Sequence, residues 1–406
     1  MKDFKLVLKH KMVWICALGY LVDIFDLVLF GIVRIPSLKA LGISETNLPA
    51  VGAQLLSFQM FGLIAGGFVW GLWGDKAGRL KTLFSSIFLY STANILNAFV
   101  TNVEYYALLR FLAGFGLAGE LGIAVTLVAE ILPKLNRGYG TTIIGFAGFI
   151  GAILASVTTY FLDWRATYFL GGLLGFILLL TRFSAHESIL FTSSNKNHSF
   201  HQSLRLLFTS PARFKKYLYL ILVGVPIWYV SGVLIYFAPE FSKGLNVTGD
   251  VSAGSAILWC YLGSLIGDVG SGIISQKLQS RKKTIQIFIG FLFMIILFYF
   301  LILRNANAML FYFICFLLGI GNGYWTLLIT MSAEHFGTNL RATVATSIPN
   351  LIRGAVIPLS FVFLWGKQYF TNLQTALGLG FFCLLGAMIA LSLLSETFHS
   401  DLDYQE

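Results

Sequence analysis

The chain has 406 residues, of which 57% are hydrophobic and only 11% are charged, and its formal net charge is +10. This apolar excess excludes an ordinary water-soluble domain and predicts helices that lie in lipid. The positive charge does not indicate a nucleic-acid partner, because the basic residues gather in alternate loops between apolar segments, as they do in membrane proteins. The four cysteines have no metal-ligand spacing, so we expect no metal and no cofactor.

Apolar segments of about 20 residues, long enough to cross a bilayer, recur along the whole sequence. The polar stretch 184–214 divides them. It predicts an N-terminal six-helix bundle at 1–183, a cytoplasmic linker at 184–214, and a C-terminal six-helix bundle with a short cytoplasmic tail at 215–406. The predicted fold class is all-α integral membrane, with twelve transmembrane spans near 12–33, 50–73, 83–101, 105–132, 140–162, 166–183, 216–239, 251–276, 284–303, 308–332, 341–366 and 374–395.

The distribution of Lys and Arg predicts the orientation. When the loops are assigned alternately to the two sides, 20 of the 28 basic residues lie on the side of the N-terminus, 6 lie on the other side, and Arg110 and Arg353 lie within spans. Basic loops remain in the cytoplasm, so both termini are predicted to be cytoplasmic in a bacterial-type inner membrane. We expect a monomer in the lipid bilayer.

Two acidic residues lie inside span one. Asp23 and Asp26 are three residues apart and share one helical face. Ionisable groups are costly in hydrocarbon and usually mark ion or substrate pathways, so both are candidate proton carriers. Asp23-Ile24-Phe25-Asp26, followed by Gly31, resembles the D-G-(F/Y)-D-x-x-x-x-G pattern of aromatic-acid:proton and sialic-acid:proton symporters, with isoleucine at the glycine position.

The stretch after span two packs glycines among charges of both signs. It resembles the loop motif G-x-x-x-D-(R/K)-x-G-R between helices two and three of the major facilitator superfamily, which it matches at Gly71, Asp75, Lys76, Gly78 and Arg79. The resemblance implies a transporter of two six-helix bundles. It also implies that Asp75 and Arg79 form a cytoplasmic gate with Glu130 of span four.

Span four carries Arg110 and Glu120. With a rise of 1.5 Å per residue, Arg110 and Asp26 lie roughly 8 and 10 Å below the same outer surface, so we expect them to meet. Asp23 and Glu120 lie at one depth, where two carboxylates would hold one proton between them, although about 80° of helix rotation separates Glu120 from Arg110. The alternative is a fixed ion-pair network that locks the helices together.

Span four also resembles that of sialate and metabolite:proton symporters, through the stretch from Arg110 to Glu120 and through Glu130, Pro133 and Arg137. In those families the acid of span one and the arginine of span four take part in proton coupling. The resemblance therefore implies proton coupling by Asp23, Asp26 and Arg110, and the shared depth with Asp23 adds Glu120 to the predicted proton-coupling residues.

The two halves of the sequence repeat. Arg79 aligns with Arg281, and Gly114-Phe115-Gly116 aligns with Gly319-Ile320-Gly321, at offsets of 202 and 205 residues. Glu130 and Arg137 align with Glu334 and Arg341, which adds Arg137, Glu334 and Arg341 to the predicted cytoplasmic gate. The repeat predicts two pseudo-symmetric bundles with a substrate site at their interface.

Arg353 lies in span eleven between Pro349 and Pro358. A fixed cation near the midplane suits a carboxylate or phosphate, although Asp268 of span eight is an alternative partner that would neutralise it. Spans seven, ten and eleven add candidate substrate-binding residues, for which the alternative is ordinary packing: Trp228, Tyr229, Tyr324, Trp325 and Asn350.

These features predict a proton-coupled secondary transporter that imports a small organic anion by alternating access. The sequence has no phosphate loop of the G-x-x-x-x-G-K-(S/T) kind and no nucleophile–base pattern, so we expect neither an ATP-driven pump nor an enzyme. The first alternative is a proton-driven exporter of drugs or metabolites, and a solvent-inaccessible Arg353 would support it. The second is a sensor that binds a ligand and moves nothing.

Overall fold

The computed structural model describes residues 10–77, 79–120, 137–182 and 200–398, together with positions 7, 124, 128 and 132. Within these residues the regular structure is α-helical, with one π-helical turn and one isolated β-bridge between Thr248 and Asn307. The predicted all-α class is confirmed.

The helices of the first half follow the predicted spans. They are α1 (Lys11–Ala40), α2 (Leu48–Ala77), α3 (Arg79–Asn97), α4 (Val103–Leu117), α5 (Arg137–Thr158) and α6 (Trp164–Arg182). The predicted loop motif after span two is largely helical, because α2 continues through Gly71 and Asp75 to Ala77 and α3 begins at Arg79. The end of α2 thus carries the charged residues Asp75 and Lys76 of the motif.

The second half begins inside the predicted linker, where α7 (Phe200–Thr209) forms a short helix. Its remaining elements are α8 (Pro211–Tyr229), the π-helical turn Val230–Ile235, α9 (Ala238–Gly244), α10 (Ala253–Leu278), α11 (Arg281–Leu301), α12 (Ala308–Asn322), α13 (Trp325–Glu334), α14 (Thr338–Gly354), α15 (Val356–Gly366) and α16 (Asn372–Leu393). In the described part of the chain, 8 helical segments are long and apolar enough to cross a membrane, and α5 and α6 contain shorter apolar stretches.

Glycine contacts repeat between the halves. In each half, glycines of two neighbouring helices lie against backbone carbonyl groups of the facing helix: Gly62–Phe111 and Gly114–Gln59 join α2 to α4, and Gly263–Phe316 and Gly319–Cys260 join α10 to α12. A Cβ atom at any of these glycines would overlap the facing carbonyl oxygen, so close approach of these membrane helices requires glycine. The same packing at corresponding positions confirms the predicted pseudo-symmetric bundles.

The halves meet along two sets of helices. Helices α1 and α5 pack against α10, and α2 packs against α14 and α15. Three predicted spans of the second half are irregular near this interface. α8 passes into the π-helical turn shortly after Pro226, α12 and α13 are separated between Asn322 and Trp325, and α14 and α15 are separated at Ala355. Irregular backbone at membrane depth is tolerated where it lines a cavity or is buried in protein.

Candidate functional site

A small cavity lies between the halves, beside the helix interruptions of the second half. Its volume is about 50 Å³, and α1 and α5 face α8, α10, α12 and α13 across it. The wall is mainly aromatic with a few polar side chains: Tyr20, Phe149, Trp228, Tyr261 and Trp325, with Ser231, Ser264, Asn322 and Arg353. Both halves therefore line one central cavity, as expected for a site at the bundle interface.

Arg353 brings a positive charge to the wall of this cavity. It lies near the end of α14 and is 1% exposed. Its Nη2 donates a hydrogen bond of 3.2 Å to the hydroxyl of Tyr20, and its guanidinium carbon lies 5.8 Å from the centre of the Trp325 ring. Its Nε and Nη1 have no hydrogen-bond partner among the described residues. A buried guanidinium with unused donors is suited to bind a carboxylate.

Tyr20 holds Arg353 across the interface between the halves. The Tyr20 ring packs against Gly148 of α5, where a Cβ atom would overlap the ring. Glycine at this position therefore makes room for the tyrosine that contacts Arg353. Sequence reasoning missed Tyr20, although it lies three residues before Asp23 on the helical face that the acidic pair defines.

Asp268 does not neutralise Arg353 in this structure. Its carboxylate accepts a hydrogen bond of 3.0 Å from the backbone N–H of Thr326 and so caps the first turn of α13. No ion pair joins Asp268 to Arg353 within the described residues. The capping contact sets the position of α13, and therefore of Trp325, at the cavity wall.

Asp26 and Arg110 are both fully buried. Arg110 lies near enough to Asp26 to interact with it electrostatically, but no ion pair joins them within the described residues. Arg110 donates instead to the side-chain oxygen of Asn94 at 2.7 Å, and its guanidinium carbon lies 4.9 Å from the centre of the Tyr168 ring. The expected direct pair is thus replaced by contact through Asn94, a neutral residue that sequence reasoning did not single out.

The carboxyl group of Asp26 is enclosed by protein, with Asn94 and the Arg110 cation as polar neighbours. One of its oxygens lies against Gly171 of α6, and Asn94 lies beside it. Among the described residues, neither carboxyl oxygen of Asp26 makes a hydrogen bond. Ionisation of such a carboxyl group is costly, and binding of a proton removes that cost.

Asp23 and Glu120 are also fully buried. Each has an interaction partner, so neither is an isolated charge. Asp23 interacts electrostatically with Tyr20, which places it near the Arg353 side of the molecule. Sharing of a proton between Asp23 and Glu120 stays a prediction.

Three predicted substrate-binding residues do not line the central cavity. Tyr229 donates to the carbonyl oxygen of Ala376 at 2.5 Å, and Tyr324 donates to that of Val223 at 3.0 Å, both within the second half. Asn350 donates to the carbonyl oxygen of Ala118 at 3.2 Å and so joins α14 to the first half. Of the predicted set, Trp228, Trp325 and Arg353 line the cavity.

The structure describes the second-half residues of the predicted cytoplasmic gate, Glu334 and Arg341, with their side chains. Glu334 pairs with Arg281 at 3.2 Å and accepts a hydrogen bond of 2.7 Å from the Thr397 hydroxyl. Arg341 donates to the carbonyl oxygens of Ala333 and Phe336 at 3.1 and 3.3 Å. These contacts tie the second-half helices to one another at the ends that are predicted to be cytoplasmic.

The first-half copy of the gate is described only in part. Gly78 and Glu130 lie outside the described residues, and Asp75, Arg79 and Arg137 are described by their backbone alone. Gly71 lies within α2. The pairing of Arg281 with Glu334 is the counterpart of the expected contact between Arg79 and Glu130, which stays a prediction.

A second charged contact joins the halves on the side opposite the predicted cytoplasmic gate. Arg34, near the end of α1, pairs with Glu240 of α9 at 2.7 Å. Sequence reasoning missed this pair because Arg34 lies one residue beyond the predicted end of span one and was assigned to a loop. Arg34 is nevertheless only 1% exposed.

Comparisons with known proteins agree on one family. The family model described as Major Facilitator Superfamily matches residues 16–360. A putative metabolite transport protein of Haemophilus influenzae is 27% identical over 354 residues, covering 83% of this chain and 84% of the relative. The sialic acid transporter NanX of Escherichia coli is 27% identical over 71% of each chain, and the benzoate transport protein of Acinetobacter baylyi is 21% identical over 84% of this chain and 80% of its own.

A solved structure supports the fold. The crystal structure of a D-xylose-proton symporter superposes with a TM-score of 0.74 and covers 96% of this chain and 98% of its own. Its sequence identity is 16%, so the similarity concerns the fold alone.

Proposed function

The chain belongs to the Major Facilitator Superfamily, and we propose that it imports a small organic anion together with protons by alternating access. The observation that carries this proposal is Arg353, a buried cation on the wall of the central cavity with two N–H groups that have no partner among the described residues. A carboxylate accepts charge-assisted hydrogen bonds from such unused guanidinium donors. Arg353 is therefore the proposed anion-binding residue.

The aromatic wall favours a flat carboxylate. Trp228, Tyr261 and Trp325 contribute aromatic rings, while Ser231 and Asn322 add neutral polar groups. The named relatives include a benzoate and a sialic acid transporter, which both act on carboxylic acids. A ring stacked on these aromatic side chains, with its carboxylate on Arg353, uses both features of the wall, so we favour an aromatic acid over a sugar acid.

The substrate requires a wider cavity than this conformation has. Small-molecule sites enclose about 300–1,000 Å³, whereas this cavity has about 50 Å³. The halves touch on both sides of it, through Asn350 and Ala118 on one side and through Arg34 and Glu240 on the other. Opening one of these sides by rocking of the halves would widen the cavity and admit the anion.

Proton coupling is proposed for the group around Asp26. A proton on Asp26 removes its charge, and this weakens its attraction for the buried Arg110. Arg110 then remains on Asn94 and Tyr168, as it does in this structure. Loss of the proton restores the attraction between Asp26 and Arg110, so the proton changes which helices of the first half are held together. Asp23 and Glu120 are the further buried acids of this group.

The exporter alternative retains one supporting observation, because Arg353 is 1% exposed in this conformation. An exporter of uncharged compounds would use the aromatic wall and leave Arg353 in contact with Tyr20. Import of an anion requires instead that the substrate replaces Tyr20 or water as the contact partner of Arg353. The direction of gradient-driven movement distinguishes the two functions.

The test is uptake into proteoliposomes of labelled benzoate, nicotinate and sialic acid, each with and without an inward proton gradient. Benzamide serves as the uncharged analogue of benzoate. We expect accumulation of at least one acid with the gradient, collapse of that accumulation by a protonophore, and no accumulation of benzamide. Accumulation of neutral or cationic solutes alone, or efflux under the reversed gradient, would contradict anion import and favour the exporter.

The same proposal includes the membrane and the orientation. We infer that both termini lie in the cytoplasm of a bacterial-type cell from the excess of Lys and Arg in the loops on the side of the N-terminus. We propose a monomer, as expected for this fold. Alkaline phosphatase fused after Lys367 and after Phe398 tests this orientation, because the enzyme is active only outside the cytoplasm. We expect activity from the first fusion and none from the second; the reverse would contradict the topology.

A further inference from the structure

The Arg34–Glu240 contact joins the two halves through several interactions at one point. The Nη2 of Arg34 lies 2.7 Å from one carboxylate oxygen of Glu240 and donates to the other at 2.9 Å. The same nitrogen donates to the carbonyl oxygen of Tyr236 at 3.1 Å, and the guanidinium carbon lies 4.4 Å from the centre of the Phe237 ring. One side chain of α1 therefore holds the end of the π-helical segment and the start of α9.

The Arg34 side of the contact is sheltered from water. Arg34 is 1% exposed and the Glu240 side chain is 22% exposed. Gly52 of α2 lies against the aliphatic part of Arg34, where a Cβ atom would come within 2.6 Å of it. Removal of one partner from a buried ion pair leaves an uncompensated charge and is strongly destabilising. The pair consequently biases the molecule toward the arrangement in which the halves touch here.

Other contacts between the halves surround the pair. The Tyr236 ring packs on Gly31, where a Cβ atom would lie 2.8 Å from the ring. The hydroxyls of Tyr160 and Ser255 lie 2.8 Å apart. Arg34 is 14 residues beyond Tyr20 on α1, which places it about 21 Å along the helix axis from the contact with Arg353. The pair thus lies at the end of the interface that is predicted to face the outside.

We propose that the Arg34–Glu240 pair is an ionic latch that closes the outer entrance of the transporter. Alternating access requires the halves to separate at this end, and neither the Arg34 guanidinium nor the Glu240 carboxylate can stay in place when they do. On separation both charges become hydrated. The pair must therefore break and reform once in each transport cycle, whichever solute or ion is carried.

The Lys39–Glu45 pair provides a matched control. Its Nζ and carboxylate oxygen are also 2.7 Å apart, and it lies on the same outer side. Both partners are in the first half, however, and their side chains are 50% and 70% exposed. Glu45→Gln removes the same charge as Glu240→Gln and breaks a pair that lies within the first half. Glu45 also interacts electrostatically with Lys243 of the second half, but this attraction is exposed to water and screened by salt, so its loss should hardly affect the contact between the halves.

The experiment measures opening directly and needs no substrate. The four native cysteines are replaced by serine or alanine, and Ser255→Cys is introduced as a reporter in the outer interface. Cells are treated with a membrane-impermeant maleimide, and the labelling rate is measured by a gel shift. In Glu240→Gln we expect this rate to rise roughly tenfold, within the range of typical conformational coupling. In Glu45→Gln we expect the rate of the parent.

Double substitution tests whether the two residues act as one unit. If they form a single latch, Arg34→Gln combined with Glu240→Gln raises the labelling rate no further than the larger single effect. Unchanged labelling in Glu240→Gln, an equal rise in Glu45→Gln, or additive effects of the two latch substitutions would overturn the proposal. Because Glu240 is partly exposed, Glu240→Gln keeps the test valid should Arg34→Gln fail to fold.

Discussion

The sharpest test of the proposed substrate site is Arg353→Gln. Glutamine keeps a polar side chain beside Tyr20 and removes the positive charge and two N–H donors that have no partner among the described residues. Hydrogen bonds to charged groups contribute about 1.5–3 kcal/mol each. Loss of one such interaction corresponds to roughly 10–150-fold weaker binding, and loss of both gives at least the upper part of that range.

The assay is equilibrium binding of a transported acid to the purified protein in detergent. Arg165→Gln is the matched control, because Arg165 donates to the carbonyl oxygens of Ala98 and Val100 at 2.8 and 3.1 Å, away from the central cavity. We expect Arg353→Gln to weaken binding of the acid and to leave binding of its neutral amide unchanged. Arg165→Gln should change neither affinity.

Two results would refute this reasoning. If the acid and its amide lose affinity equally, Arg353 supports the shape of the cavity and does not recognise charge. If the acid binds as tightly to Arg353→Gln as to the parent protein, the anion is held elsewhere. Arg353→Lys adds a further test, because lysine keeps the charge but lacks the planar fork of donors, so we expect it to restore only part of the affinity.

Three further predictions concern coupling, packing and pH. Asp26→Asn should abolish accumulation driven by a proton gradient while counterflow exchange continues, and full accumulation would exclude Asp26 as the proton carrier. Gly114→Ala should destabilise the protein by about 1–3 kcal/mol, because the added methyl group overpacks against the Gln59 carbonyl group. Gly386→Ala is the control, since a Cβ atom there has no neighbouring atom within 4 Å among the described residues. Equal shifts of the melting temperature in the two variants would contradict this prediction. Burial, and then the Lys216 cation, lower the pKa of His335 to about 4. The stability that the neutral His335 imidazole contributes is thus complete above its unfolded pKa of about 6.5 and is lost as the pH falls toward 4. The melting temperature of His335→Gln should therefore depend less on pH between these two values than that of the parent protein. The same pH dependence in both proteins would contradict this.

Several site residues were predictable because burial of charge in a membrane is costly. Asp26, Arg110 and Arg353 were singled out as ionisable groups within apolar spans, and the structure buries all three. Trp228 and Trp325 were candidate substrate-binding residues, and both line the cavity. Composition and position along the chain are sufficient for such predictions, since an intramembrane charge requires a special environment in any packing arrangement.

Neutral polar residues were missed because burying them in a membrane protein does not require a special environment that the sequence would reveal. Asn94 contacts Arg110, and Tyr20 contacts Arg353, but their type and position did not distinguish them from other polar residues in the spans. Arg34 was missed because span boundaries are uncertain by a few residues. Tyr324 and Asn350 were expected to face the substrate, yet they donate to backbone carbonyl groups elsewhere, because helical periodicity shows which residues share a face and not which neighbour that face meets.

The sequence by itself determined that the chain lies in a membrane as two repeated bundles. Both properties follow from local composition: the thickness of the hydrocarbon layer sets the length of each apolar segment, and the repeat is readable at offsets of 202 to 205 residues. Only the tertiary structure decided the contacts between the halves. Arg34 meets Glu240 across 206 positions, and Arg353 meets Tyr20 across 333. Such pairs depend on how each helix is rotated and shifted against its neighbours, which is set by the simultaneous packing of all the helices.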